Sequence, residues 1–266
     1  MSPVVESVAL VRPEVRRRSA VAEVGLVASS VVLYSVLCFL APVVPSVAYR
    51  HAREILAVER ALGVDIELGL NQWLADHPVI ASVSSTFYSV SFFAFTVGAL
   101  VLIWTRRPDR YILSRNSLFI MTAGAMITYW AFPLAPPRFL ATYGFVDSVA
   151  TQSTVGSGYS EAAGSLANQY AAMPSMHTGW AVWCALFLGL FVWKATWQRL
   201  LLAIHPLFTI WVIIATANHY VLDAIAGASY CAVGFVLAVV VQNTILTPDT
   251  PNGQGYPRIV DKSAIR

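Results

Sequence analysis

Charge is scarce in this chain. Only 12% of its 266 residues are Asp, Glu, Lys or Arg, against 57% hydrophobic residues, and the mean hydropathy is +0.64. That is too little charge to cover a soluble globule of this length. Cysteine is scarce as well. Cys38, Cys184 and Cys231 all lie inside apolar runs, without metal-type spacing, and read as small core residues rather than a disulfide or metal framework. No basic stripe laced with aromatics occurs, which argues against a nucleic-acid partner. The net charge of +3 is small, and its distribution says more than its size.

What the chain does have is long apolar runs, of the roughly 17–25 residues needed to cross a hydrocarbon core about 30 Å thick. Six spans are predicted, over residues 24–47, 80–104, 117–132, 176–193, 200–216 and 221–245. The expected fold is all-α: a six-transmembrane-helix bundle forming one membrane catalytic domain (24–245), between a polar N-terminal segment (1–23) and a polar C-terminal tail (246–266). The first run follows a basic segment, as in a signal peptide. It exceeds the roughly 7–15 apolar residues of a signal core, so it reads as an uncleaved span.

Residues 49–77 are different. Arginines and acids alternate there with Ile55, Leu56, Leu62, Ile66, Leu70, Trp73 and Leu74 at helical spacing. The pattern predicts an amphipathic helix or helix pair at the interface. It reads as a cap over the bundle's outer end; the alternative is an element that admits substrate.

Positive charge orients the bundle. Arg12, Arg16, Arg17 and Arg18, the turn with Arg106, Arg107, Arg110 and Arg115, the turn with Lys194 and Arg199, and the tail with Arg258, Lys262 and Arg266 all fall on one side of six spans. On the other side, segment 49–77 is net acidic and the long 141–172 loop region is preceded by the single Arg138. Both termini are expected in the cytoplasm of a plasma-membrane protein. Arg138, His177, His219 and Asp223 then meet at the extracytoplasmic end.

Ionisable groups at the mouths of membrane helices are costly to bury and are functional candidates by default. His219 and Asp223 are four apart, so on a helix they share a face. The carboxylate can fix one imidazole tautomer and leave the other nitrogen free to attack. His177 follows Pro174, which favours a helix start, so backbone amides near Ser175 and Met176 would face an anion. A phosphate there could meet a nucleophilic His219 and an acidic His177. Arg138, stiffened behind Pro136-Pro137, suits bidentate phosphate binding; its plainer role is a snorkelling arginine. His205 reads as a satisfied core histidine, and His51 and His77 as solvated or capping residues. Two histidines and a carboxylate could hold a metal, but no further ligand stands near in sequence. Ser175 lacks the glycine elbow of a serine nucleophile.

These residues resemble the type 2 phosphatidic acid phosphatase superfamily. Residues 171–177 (AAMPSMH) look like its second motif, and residues 218–227 (NHYVLDAIAG) like its third. Residues 132–138 (FPLAPPR) resemble the first-motif region of the inositol phosphorylceramide synthase-like branch. The resemblance implies a six-helix bundle with a phosphohistidine on His219, Asp223 as its orienter and His177 as general acid. It also implies no metal or other cofactor, with water or an alcohol as phosphoryl acceptor. Two basic positions of the phosphatase members are replaced, by Ala131 and Ile213, as the third-motif one is in the inositol phosphotransferase branch. The expected function is a lipid phosphatase or phosphotransferase acting on a membrane lipid phosphate ester or pyrophosphate. An inositol-phosphate transferase is the near alternative, and a catalytically silent membrane scaffold the distant one.

Overall fold

The computed structural model describes residues 19–147 and 168–244. Within them the chain is helical, with one isolated bridge between Leu134 and Ala171. Eight α-helices follow in order: α1 (Ala20–Leu40), α2 (Pro45–Leu62), α3 (Glu67–Ala75), α4 (Pro78–Arg106), α5 (Pro108–Ala131), α6 (Met176–Phe191), α7 (Thr196–Ala215) and α8 (Val221–Thr244). Two 3₁₀ turns, Pro137–Phe139 and Ala141–Tyr143, follow α5.

Among the described residues, four helices are long and apolar enough to cross a membrane: α1, α4, α7 and α8. Helix α6 is as apolar but has 16 residues, and α5 carries Asp109, Arg110 and Arg115 in its first turns. Outward-facing side chains on the long helices are large and apolar, including Val83, Val101, Leu200, Leu207, Val233 and Val236. An apolar exterior of this extent suits contact with lipid. The basic N-terminal arginines and the tail cations lie outside the described residues.

Helices α4, α5, α6 and α8 enclose the main core, around Trp183, Phe187, Ile103, Leu113, Met121 and Tyr129. Their close approach depends on small residues. A Cβ on Gly234 would meet Met121 Cβ and Ser117 O at 2.9 Å, where α8 crosses α5. One on Gly227 would fall 2.1 Å from Ser175 O. Without a hydrophobic drive between helices in lipid, such backbone contact is what packs them. Helix α1 packs mainly on α5 and is tied to it by Glu23, whose carboxylate accepts both 2.6 and 2.7 Å bonds from Arg115 Nη1.

The interfacial segment forms two helices, as expected, but α2 buries a different face from the one its large apolar residues suggest. Ala48, Ala52, Leu56 and Glu59 are buried, while Val58 and Leu62 are exposed. The small stripe lets α2 lie flat on the outer cluster of Leu134, Ala135, Leu140, Phe145, Ala172, Ala217 and Tyr220. The first expected span also breaks earlier: α1 stops at Leu40 and α2 starts at Pro45, because Pro42 and Pro45 cannot continue a helix.

Gly227→Ala should push α8 off the turn at Ser175 and cost about 1–3 kcal/mol. Gly98→Ala, whose Cβ meets nothing within 4 Å, should be neutral or slightly stabilising. Thermal unfolding of both variants in detergent checks the contrast; equal melting temperatures would remove the packing argument.

Candidate active site

Helix α7 ends in a turn that presents His219. Ala217 takes the left-handed conformation at φ 55°, uncommon for a non-glycine residue. The amides of Asn218 and His219 both donate to Ile213 O, at 3.0 and 3.1 Å, and Arg138 N donates to Ala217 O at 2.8 Å. His219 therefore sits in the α7–α8 turn, two residues before α8 begins, and not on a helix face with Asp223 as the spacing suggested.

The four-residue spacing is realised by capping. Asp223 is the third helical residue of α8, and its Oδ2 accepts from Tyr220 N at 2.9 Å, the reciprocal half of a capping box. The same oxygen lies 3.4 Å from His219 Nδ1. A shorter bond joins Nδ1 to Ala172 O at 2.8 Å. A carbonyl only accepts, so Nδ1 must carry the proton and Nε2 the lone pair. The tautomer expected from Asp223 alone is set first by Ala172 and seconded by the carboxylate.

His177 is the second residue of α6. Its ring stacks on Tyr88 at 4.3 Å, meets Phe92 edge-on at 4.7 Å, and lies 5.7 Å from the His219 ring, centroid to centroid. Nε2 of His177 is buried and has no hydrogen-bond partner among the described residues. Ser175 is the N-cap of α6, its hydroxyl accepting from Thr178 N at 3.4 Å. Pro174 lies outside the helix, and its carbonyl accepts from Tyr129 Oη at 2.9 Å.

The amide expected to be free at Ser175 is not. It donates to Asp223 O at 2.9 Å and clamps α6 to α8. Met176 and His177 occupy the first two helical positions, whose amides have no acceptor within a helix. The Met176 side chain itself is buried in the core.

Arg138 reaches the same end from the first 3₁₀ turn. Its Nη1 donates to Asn218 Oδ1, next to His219, and its Nε lies 3.4 Å from Asp147 Oδ2. The guanidinium lies within electrostatic reach of Tyr88 and His177. It is a half-buried group, oriented by these two partners. His51, expected to be solvated or capping, instead bonds Pro133 O through Nδ1 at 2.8 Å and stacks on Phe132 at 4.1 Å, bracing the turn that leads to Arg138. His77 bonds Trp73 O at the end of α3. His205 packs on Phe87 and Phe95 within α7, and its Nε2 has no partner among the described residues.

Sequence reading missed Asn218, Asp147, Glu59 and Glu67. Glu67 Oε1 accepts from Val221 N at 2.9 Å, and Glu59 Oε1 from Leu222 N at 2.8 Å. Both acids are fully buried. The one signal for Glu59 was its place on the stripe of Ala48, Ala52 and Leu56, where an acid is out of keeping. Tyr220, also fully buried with its hydroxyl donating to Ala135 O at 3.1 Å, has its phenol pushed well up by burial and by the neighbouring carboxylates. Among the described residues, no group of three or more His, Cys, Asp or Glu could hold a metal ion.

Long apolar helices around a histidine–carboxylate cluster at one end define a helical membrane protein with its ionisable groups gathered at the bundle's rim. Within that class the chain belongs to the PAP2 superfamily, whose family model matches residues 53–237. Members of this superfamily are phosphatases or phosphotransferases. No curated protein and no solved structure matches the chain.

His219→Ala should reduce turnover to background, and His177→Ala should reduce it by roughly 10²–10⁴-fold, the range for loss of a general acid or base. Asp223→Asn should cost less, about 10–100-fold, because Ala172 still holds the tautomer. Initial rates on folded variants check this ordering; substantial activity in either histidine variant would remove the two-histidine assignment.

Proposed function

We propose that the chain is an integral-membrane lipid phosphatase or phosphotransferase working through a phosphohistidine on His219. One observation carries the reading. Two imidazoles stand 5.7 Å apart, one locked with its Nε2 lone pair free and the other with a buried, unpartnered Nε2.

The lipid phosphate sits between the rings. Its negative charge favours the imidazolium form of His177. The His219 Nε2 lone pair attacks phosphorus, the P–N bond forms, and the P–O bond to the leaving group breaks as that oxygen takes the proton from His177. Neutral His177 then removes a proton from water or an alcohol. The new P–O bond forms, the P–N bond breaks, and both rings return to their starting states. Arg138 and the first amides of α6 hold the phosphate oxygens. No metal is needed in this scheme.

Arg138 is the one cation that the described site brings to the phosphate, and Ile213 is buried in apolar surroundings beside Ala224. One guanidinium suits a phosphodiester or pyrophosphate better than a monoester dianion. That supports the inositol phosphorylceramide synthase-like branch and an inositol-phosphate transfer as the narrower reading. Counting α5 and α6 as spans gives six, with both termini cytoplasmic and the site on the extracytoplasmic face of the cell membrane. A scaffold without turnover would leave the ordered histidine tautomer without a role.

Purified protein in detergent, given a panel of lipid phosphates and pyrophosphates with water or added alcohols including inositol, should release phosphate or form a transferred lipid. Both products should vanish in His219→Ala. Free phosphate means a hydrolase, transferred lipid with little free phosphate means a transferase, and no His219-dependent product defeats the reading. Arg138→Lys should raise KM more than it lowers kcat, since the planar fork is lost; wild-type kinetics would take Arg138 out of the site. Chelators should leave turnover unchanged, and inhibition by them would bring back a metal.

A further inference from the structure

A helix that starts inside a protein exposes amides for which it has no acceptor of its own. Helix α8 starts in this way, beneath α2 and α3, and its first amides are met by side chains from distant segments. Val221 N donates to Glu67 of α3 and Leu222 N to Glu59 of α2, while Asp223 turns back to Tyr220 N. All three carboxyls are fully buried. Each glutamate uses Oε1 on its amide, and the Oε2 of each is buried without an N–H or hydroxyl donor among the described residues. The two glutamate carboxyls lie within hydrogen-bonding reach of one another. No cation pairs with either among the described residues, and two adjacent buried anions cost far more than one, so the pair is stable with one proton held between them.

We propose that Glu59 and Glu67 are positioning residues: a proton-sharing carboxyl pair that clamps the first turn of α8 and so sets His219 and Asp223 for phosphoryl transfer. The mechanical link is short. Val221 and Leu222 lie between His219 and Asp223 in sequence, so whatever holds their amides fixes the distance between imidazole and carboxylate. One negative charge on the pair, beside Asp223, also suits the positive pole of the α8 dipole, whereas a second charge on the pair would overfill it. Burial, and then the neighbouring Glu67, hold the Glu59 carboxyl up to about 9 against the opposing Leu222 amide. Asp223 faces the pair from α8 and Tyr220 from the turn before it, with Tyr143 of the second 3₁₀ turn beside Tyr220.

The sign follows directly. A carboxyl raised in the folded protein keeps its proton at neutral pH, and the arrangement is lost as pH rises through about 9. Ionising the second acid places two anions against each other at the α8 amides and loosens the turn that carries His219.

This inference rests on the phosphohistidine reading, and two measurements separate their fates. The first is infrared difference spectroscopy of the full-length protein in detergent, reading the C=O stretch of a protonated carboxylic acid, which a carboxylate lacks. Wild type should show this band at neutral pH and lose it as pH rises through about 9, and Glu59→Gln should weaken it. This result does not depend on turnover. The second is steady-state kinetics on the phosphatidic acid and lipid pyrophosphate panel. Glu59→Leu should lower kcat about tenfold or more, with KM within about twofold, because binding groups are untouched while the nucleophile is displaced.

Glu59→Gln keeps an acceptor for Leu222 N and a donor for Glu67. It should restore kcat at neutral pH and remove the alkaline fall near pH 9, a change that loss of general stability would not produce. A wild type without a protonated-acid band at neutral pH would overturn the shared proton. So would a Glu59→Gln profile with an unchanged alkaline limb. A Glu59→Leu variant with wild-type kcat would overturn the clamp. A wild type that turns over no member of the panel, with the band present and sensitive to Glu59→Gln, would defeat the functional reading and leave the carboxyl pair standing.

Discussion

The buried start of α8 is the constraint on which the rest of this structure depends. Its first amides lie away from water, where an unpaired backbone donor costs about as much as a lost hydrogen bond. Three carboxyl groups from three places in the chain meet that demand: Glu67, Glu59 and Asp223. Meeting it fixes α2 and α3 over the bundle's end, ties the interfacial segment to the site, and pins the turn that carries His219. The site is the place where the fold's hardest polar problem is solved, so its geometry is tightly determined.

The second organising element is close backbone approach. Gly227 lets α8 touch the turn at Ser175, where the Ser175 amide reaches Asp223 O. Gly234 does the same against α5, about two turns further along α8. In a lipid setting, helices gain little from burying apolar surface against each other and rely on such contact. The clamp between α6 and α8 also places the two histidine rings opposite each other, so packing and chemistry share the same residues. The aromatic faces of Tyr88 and Phe92 complete the wall behind His177.

Much of this was legible in sequence. Apolar run length placed α4, α6, α7 and α8 to within a few residues, because hydropathy is a local property. The pairs Ser175–His177 and His219–Asp223 stood out as ionisable or polar groups at helix mouths. Arg138 was visible as a lone cation behind two prolines. Other features were hidden for physical reasons. Asp223 looked like a helical neighbour of His219, yet it reaches that residue as part of a cap. Ala172 contributes only a carbonyl, and every residue has one. Glu59 and Glu67 looked like the polar side of an amphipathic segment, because their partners are the amides of residues 221 and 222, more than 150 positions away in the chain.

Composition and spacing by themselves determined that this chain is helical, suited to a membrane, and furnished with two histidines and a carboxylate near helix ends. Those properties follow from hydrophobic length and local periodicity, which need no knowledge of neighbours. Only the tertiary structure decided which nitrogen of His219 is free, that the amide of Ser175 serves the fold, that Arg138 is held by Asn218 and Asp147, and that two glutamates cap the start of α8. Each of these is a question of where a hydrogen bond goes. A buried donor is satisfied by whatever acceptor the fold brings to it, and sequence distance has no bearing on that choice.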